Sequence, residues 1–230
     1  MNWLKRRGRT FRGQEYDSYP AWSVAASRWQ RAHMRRVLAV AIATVGLSCV
    51  ASAGWIHMKA YAAQVLITRA WDRAARGDSN AQPWPWADTR PVARLSTDGP
   101  VRQELLVLEG SSGRNLAFGP AHDSASVLPG ERGNSVIAGH RDTHFRFLQT
   151  LQRGDRLLAE RADGSAHGFV VTDVRVVDSR HERIALDDRA PRLTLVTCYP
   201  FDAVTPGGPL RYVVTADLES AQPRQLTAHR

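Results

Sequence analysis

The sequence predicts a mostly β domain, a closed or nearly closed barrel, carried behind one membrane-spanning helix. Three observations lead there. From about Pro91 onward, short apolar runs alternate with Gly, Pro, Asp and Ser, at a spacing of 8–15 residues. No strand–helix–strand alternation runs through this region, so a parallel α/β sheet is excluded. Val37 to Met58 is 22 residues without a single Asp, Glu, Lys or Arg.

Residues 1–36 are rich in Arg, Trp and Tyr and are expected to form a poorly ordered basic tail drawn to anionic lipid headgroups. Residues 37–58 follow as the transmembrane helix. As a helix they span about 33 Å, which matches a hydrocarbon core of roughly 30 Å. Arg28, Arg31, Arg35 and Arg36 crowd the N-terminal side, and Lys59 is the first positive residue beyond the span. The positive-inside rule then leaves the N-terminus cytoplasmic and the rest of the chain outside the plasma membrane. Ala60-Tyr61-Ala62 offers the alternative of signal cleavage. Cys49 lies within the apolar run and reads as a small lipid-facing or helix-facing residue.

Residues 59–76 continue as helix, and Gly77 stops it. Val65, Leu66 and Trp71 either pack on the following domain or extend the helix as a stalk. Asp78 to Pro83 is a linker. The stalk and linker are assigned to 59–88, the barrel to 89–219 and a tail to 220–230. Candidate strands are 92–96, 104–109, 114–118, 134–139, 155–161, 167–178, 192–198 and 210–217. Turns are read at Gly99-Pro100, Gly110 to Gly113, Pro129-Gly130, Ala162 to Gly164 and Pro206 to Pro209. One short helix fits 144–151, where Phe145, Leu148 and Leu151 share a face. About eight strands with one or two short helices point to a barrel.

The net charge of +9 suggests nucleic acid until it is mapped. Residues 1–58 hold nine Lys/Arg against two Asp/Glu, and residues 59–230 hold 22 against 20. The folded part is nearly neutral, which excludes a nucleic-acid partner.

Cys198 closes the run Arg192 to Cys198 and is the lone cysteine outside the apolar segment. A cysteine with no partner, in a domain facing an oxidising compartment, points to a reactive thiol. Thiol attack on a carbonyl needs a thiolate, an acid for the leaving amine and a donor for the oxyanion. His140 ends Asn134 to His140 at a second strand end, and Gly139 before it permits close backbone approach. Arg211 opens the last strand after the loop Tyr199 to Leu210, so adjacent strands bring it alongside Cys198. A guanidinium there binds a charged intermediate without losing its own proton.

These residues resemble the sortase family. Thr194-Leu195-Val196-Thr197-Cys198 matches the family pattern Thr-Leu-x-Thr-Cys. Gly119 to His122, Pro129 to Asn134 and Ala138 to Thr143 are similar to the class D and E type. Trp84 to Asp88 and the single N-terminal anchor resemble proteobacterial members. The resemblance covers about residues 84–218 and implies an eight-stranded barrel and a membrane-anchored cysteine transpeptidase. It implies Cys198 as nucleophile, His140 as general acid and base and Arg211 as substrate and oxyanion stabiliser. Thr197, Val196 and Ala138 are expected to touch substrate. The implied partners are a protein with a Leu-Pro-x-Thr-Gly-like C-terminal signal and an amine acceptor, with membrane lipid around residues 37–58. The implied localisation is the inner membrane, with the catalytic domain periplasmic.

Other chemistries fit less well. His140, His144 and His122 lack the glutamate and helix of a zinc motif, and Asp187-Asp188 reads as readily as a solvated turn. No metal and no cofactor are expected. His144 is expected to start the short helix, with Asp142 and Thr143 as capping candidates. An L,D-transpeptidase needs a histidine two residues before the nucleophile, where Val196 stands. The non-enzymatic alternative is an envelope scaffold with an inert buried Cys198. The loops 119–133, 179–191 and 199–209 are where substrate pockets are expected.

Overall fold

The computed structural model describes residues 21–98, 102–187, 189–205 and 207–219. The first 20 residues of the basic tail, the Gly99-Pro100 turn, Asp188, Pro206 and the tail 220–230 lie outside these. The chain divides into two units, Met1–Ile56 and His57–Arg230.

The first unit is described through the opening part of α1, a helix over Ala21–Ala74. The expected tail is therefore helical from Ala21. Residues 29–74 include a stretch long and apolar enough to cross a membrane, with none of that stretch buried in protein. Leu38, Ile42, Val45 and Leu47 are all exposed, as a lipid-facing surface requires.

In the second unit, the last turns of α1 are part of the domain rather than a free stalk. Ala63, Ile67, Ala70 and Trp71 are buried. Their spacing of four, three and one puts them on one helical face. The Arg94 guanidinium lies 5.2 Å from the Trp71 ring centroid, and Gln64 Nε2 donates to the Phe118 carbonyl at 2.7 Å. The stop at Gly77 holds. Gly77 takes φ +97°, its N–H reaches Ala74 O and the Asp78 N–H reaches Arg73 O, the paired bonds of a Schellman end. The linker packs too: Ala81 and Ala87 are buried.

Eight strands close the barrel: β1 Pro91–Thr97, β2 Glu104–Glu109, β3 Ala121–His122, β4 Asn134–Ala138, β5 Arg156–Arg161, β6 Ala166–Asp178, β7 Arg192–Cys198 and β8 Leu210–Leu218. Their order is β1-β2-β3-β4-β7-β8-β6-β5, with β5 returning to β1. The β2–β3 and β4–β7 pairs are parallel and the others antiparallel. Closure removes sheet edges and leaves one side of each strand for the core.

One expected strand is wrong. Residues 114–118 do not pair in the sheet; Gly113–Leu116 forms a short helix, α2. Ser112 caps it by accepting from the Asn115 N–H at 3.3 Å. The Asn115 amide then donates to the carbonyls of Glu109 and Gly110, both at 3.0 Å. Those local bonds outcompete the sheet, and the third strand shifts to Ala121–His122.

The core is filled from alternate strand positions, among them Leu95, Val107, Ile137, Phe169, Leu195 and Val214. A 3-10 helix over Arg146–Thr150 covers one end. Phe145, Leu148 and Leu151 are buried together as expected, each large side chain stabilising the fold by about 1.5–3 kcal/mol. Phe145 occupies the N-cap, with no side-chain capping bond. The expected caps, Asp142 and Thr143, are therefore not used.

Candidate active site

The site begins with the alternation of β7. Leu193 and Leu195 are wholly buried core residues, so Thr194, Val196 and Cys198 face outward. Cys198 is partly buried and unpaired with any second sulfur. Its partner across the antiparallel β7–β8 pair is Arg211. Directly opposed residues share a face, with Cβ atoms about 4.5–5.5 Å apart. The parallel β4–β7 register ends at Ala138↔Val196, and Gly139 N donates onward to Val196 O at 3.0 Å. His140 and Cys198 each lie two residues past that last pair. They leave neighbouring strands at the same level, where strands stand about 4.8 Å apart. Cys198 and Arg211 thus share one outer face, and the backbone of His140 leaves the neighbouring strand at their level.

Short bonds fix the backbone around them. Thr197 Oγ1 donates to Gly139 O at 2.7 Å, and this bond is buried. Phe145 N donates to His140 O at 2.9 Å, closing the turn after the histidine. His140 is exposed, and its ring makes no hydrogen bond among the described residues. Arg211 Nη1 donates to Gly208 O at 2.6 Å and to Leu210 O at 2.9 Å. Its Nε and Nη2 have no hydrogen-bond partner among the described residues, so donors remain for an anion. Gly139 is needed for space: a Cβ there would fall 2.7 Å from the Phe145 ring.

Of the remaining expected contacts, Val196 and Ala138 are partly buried on the outer face beside Cys198. Thr197, expected to touch substrate, is 2 % exposed, and its hydroxyl donates to the Gly139 carbonyl, so its side chain is turned inward and braces the strand end before His140.

Farther along the same face lies a cavity of about 260 Å³, lined by Asn134, Ile184, Thr194 and Val213 among others. Asn134 ties its wall together. Its Oδ1 accepts from Thr194 Oγ1 at 2.8 Å, and its Nδ2 donates to Ala185 O at 2.8 Å. The expected substrate loop 179–191 is thereby pinned to β4. Asn134 was not singled out in the sequence; its place on the outward alternation of β4 was the available signal. Two larger cavities, about 510 and 660 Å³, include none of Cys198, His140 and Arg211, so size does not mark the chemistry here.

The other histidines have separate uses. His122 is buried, with Nε2 donating to Val127 O at 2.8 Å. His144 lines a cleft of about 210 Å³ with Gln64, Arg94 and Glu104. Burial first, then the neighbouring His140, lowers its pKa, while Asp142 acts in the opposite sense. Among the described residues, no group of three or more His, Cys, Asp or Glu side chains is placed to hold a metal.

Comparison with known proteins agrees with this geometry. Residues 99–219 match the sortase domain model. Sortase D of Bacillus subtilis (strain 168) is 34 % identical over 115 residues, which is 50 % of this chain and 57 % of that protein. The chain therefore matches just over half the length of that relative. The sortase D5 transpeptidase of Clostridium perfringens superposes with a TM-score of 0.50 at 25 % identity, over 57 % of this chain and 80 % of that one. Sortase A of Corynebacterium diphtheriae gives 0.53 at 25 %, over 60 % and 65 %. With more than half of its length inside that domain, on a closed barrel that pairs Cys198 with Arg211, the chain belongs to the sortase family.

Proposed function

We propose that the protein is a membrane-anchored cysteine transpeptidase acting on a Leu-Pro-x-Thr-Gly-like C-terminal signal. The observation that carries this reading is the Cys198↔Arg211 pairing, with His140 leaving the next strand at the same level.

The Cys198 sulfur, its proton passed to His140, attacks the carbonyl carbon of the Thr–Gly bond, and the carbonyl oxygen takes up negative charge. The Nε and Nη2 donors of Arg211 take up that charge, and guanidinium stays protonated throughout. His140 gives a proton to the departing glycine nitrogen as the C–N bond breaks, leaving a thioester on Cys198. An incoming amine then attacks the thioester carbon and yields its proton to His140. The C–S bond breaks, and the acyl group leaves on the amine. Val196 and Ala138 flank the reacting bond, and the Asn134–Thr194 cavity receives residues on the N-terminal side of the signal.

The exposed apolar face of α1 supports an anchor through residues 37–58. The basic excess before it supports a cytoplasmic N-terminus and an extracytoplasmic barrel. The acceptor amine belongs to an envelope component or a second protein.

The test is the intact mass of the detergent-solubilised chain after incubation with a Leu-Pro-x-Thr-Gly peptide, beside Cys198→Ala. The expected result is an adduct lacking the glycine-side fragment, discharged by added amine and missing from the variant. No adduct, together with a Cys198 that resists alkylation in the folded protein, would favour an inert scaffold. No adduct with a reactive Cys198 would reject the signal and retain the nucleophile.

A further inference from the structure

The residue after His140 reaches across the site. Arg141 Nη2 donates to the carbonyl of Ala203 at 2.6 Å, and the bond is partly buried. Ala203 lies five residues beyond Cys198, on the loop that joins β7 to β8. That loop is held at its base by Tyr199 N donating to Leu210 O at 3.0 Å. It is held along one side by the Phe201 ring, 5.1 Å from Tyr212. Its tip is open: Val204 is 98 % exposed. The Arg141 bond therefore fixes the stretch between Phe201 and that tip.

The two backbone ties around His140 both end on the segment that carries Cys198. Gly139, on one side, is held by Thr197, the residue before the cysteine. Arg141, on the other, holds Ala203 after it. The His140 ring has no hydrogen bond of its own among the described residues, so its placement depends on these flanks. We infer that Arg141 is a positioning residue that latches the β7–β8 loop and so sets the imidazole of His140 against the thiol of Cys198.

This inference rests on the Cys198–His140 reading above. A misplacement of about 1 Å in a reacting group can cost roughly 100-fold in rate. Loss of the latch is therefore read in kcat and only weakly in KM, because the Asn134–Thr194 cavity proposed to receive the signal includes neither Arg141 nor Ala203. An arginine that merely steadied the fold would act through melting temperature instead.

The experiment uses the full chain in detergent, with Arg141→Met and Arg141→Lys. Methionine keeps the aliphatic stem and removes the donors; lysine keeps a charged donor group on a flexible stem but loses the planar guanidinium fork. The expected result for Arg141→Met is a kcat lower by about 30- to 100-fold with KM within about twofold. Arg141→Lys should recover part of that loss. Amide exchange over residues 201–205 should quicken in Arg141→Met, a readout that needs no substrate. A wild-type kcat in folded Arg141→Met, a loss confined to KM, or unchanged loop exchange overturns the latch. Should Arg141→Met not fold, a wild-type kcat in Arg141→Lys overturns it. If the wild-type protein itself leaves the peptide untouched, the proposed signal has failed, and loop exchange alone decides the latch.

Discussion

The Thr197 hydroxyl donates to the Gly139 carbonyl at 2.7 Å, joining the residue before the thiol to the residue before the imidazole. Both residues are buried, so water cannot replace the bond. Thr197→Val keeps the shape and removes the donor. It should destabilise the barrel by about 1–3 kcal/mol, the cost of an unsatisfied buried group. It should also lower acyl transfer by loosening His140 relative to Cys198. Urea unfolding and peptide turnover measure the two effects, and Thr197→Ser should recover part of both. A Thr197→Val enzyme as stable and active as the wild type would show that the tie is dispensable.

Arg211 separates from the other two catalytic candidates by the size of its effect. Cys198→Ala and His140→Ala each remove a group that forms or breaks a bond, so thioester formation should vanish. Arg211→Ala removes donors to a charge that develops only in the transition state. Such losses cost roughly 100- to 1000-fold in kcat. The Nη1 bonds to Gly208 and Leu210 add a second, structural consequence, a looser base for the β7–β8 loop. Single-turnover rates on a peptide substrate check the ranking; full activity in Arg211→Ala would remove its role.

Gly139→Ala probes space rather than backbone freedom, since no positive φ is involved. The new methyl would sit 2.7 Å from the Phe145 ring. Phe145 is wholly buried, so the ring or the strand end must shift. Overpacking of this kind costs about 1–3 kcal/mol, and the shift falls on the turn that carries His140. A lower melting temperature accompanied by weaker acyl transfer is expected. An unchanged melting temperature would show that the Phe145 packing yields freely.

The barrel was legible because its signals are local, and so were the strand ends that hold the three catalytic candidates. Cys198, His140 and Arg211 each stand at a strand end, and strand ends follow from short apolar runs and their turns. The α2 segment was not legible as helix, because Leu116-Ala117-Phe118 is a short apolar run between turn residues and reads as readily as a strand. What decides it is the Ser112 cap and the Asn115 amide, whose carbonyl partners the apolar pattern does not reveal. Thr197 shows a different limit. Once Cys198 is placed outward, period-two alternation sends Thr197 inward, so its bracing role was implied by a rule already in use. Arg141 was beyond reach, since its partner is a backbone carbonyl 62 residues away.

Ser135 carries the reverse of a brace. Its side chain is wholly buried on β4, and its hydroxyl has no hydrogen-bond partner among the described residues. Leaving such a group unpaired costs about 1–3 kcal/mol. Ser135→Ala should therefore leave stability unchanged or raise it, with turnover unaffected. A clear fall in the urea midpoint would show that the hydroxyl is satisfied in solution.

His144 gives the barrel a dependence on pH with a definite sign. Its pKa is lowered from 6.5 by burial and then by His140, against the opposing pull of Asp142. Arg94 and Glu104, of opposite charge, share its cleft. Above pH 6.5 the imidazole is neutral in both folded and unfolded chains, and the contribution to stability is fully present. As the pH falls below 6.5, the unfolded chain takes up the proton first. Stability is lost until the folded imidazole is protonated as well. His144→Gln removes that linkage while keeping a polar side chain. Its melting temperature should fall less than that of the wild type between about pH 7.5 and about pH 5.5. Parallel slopes for the two proteins would show that the folded His144 binds its proton as readily as the unfolded one.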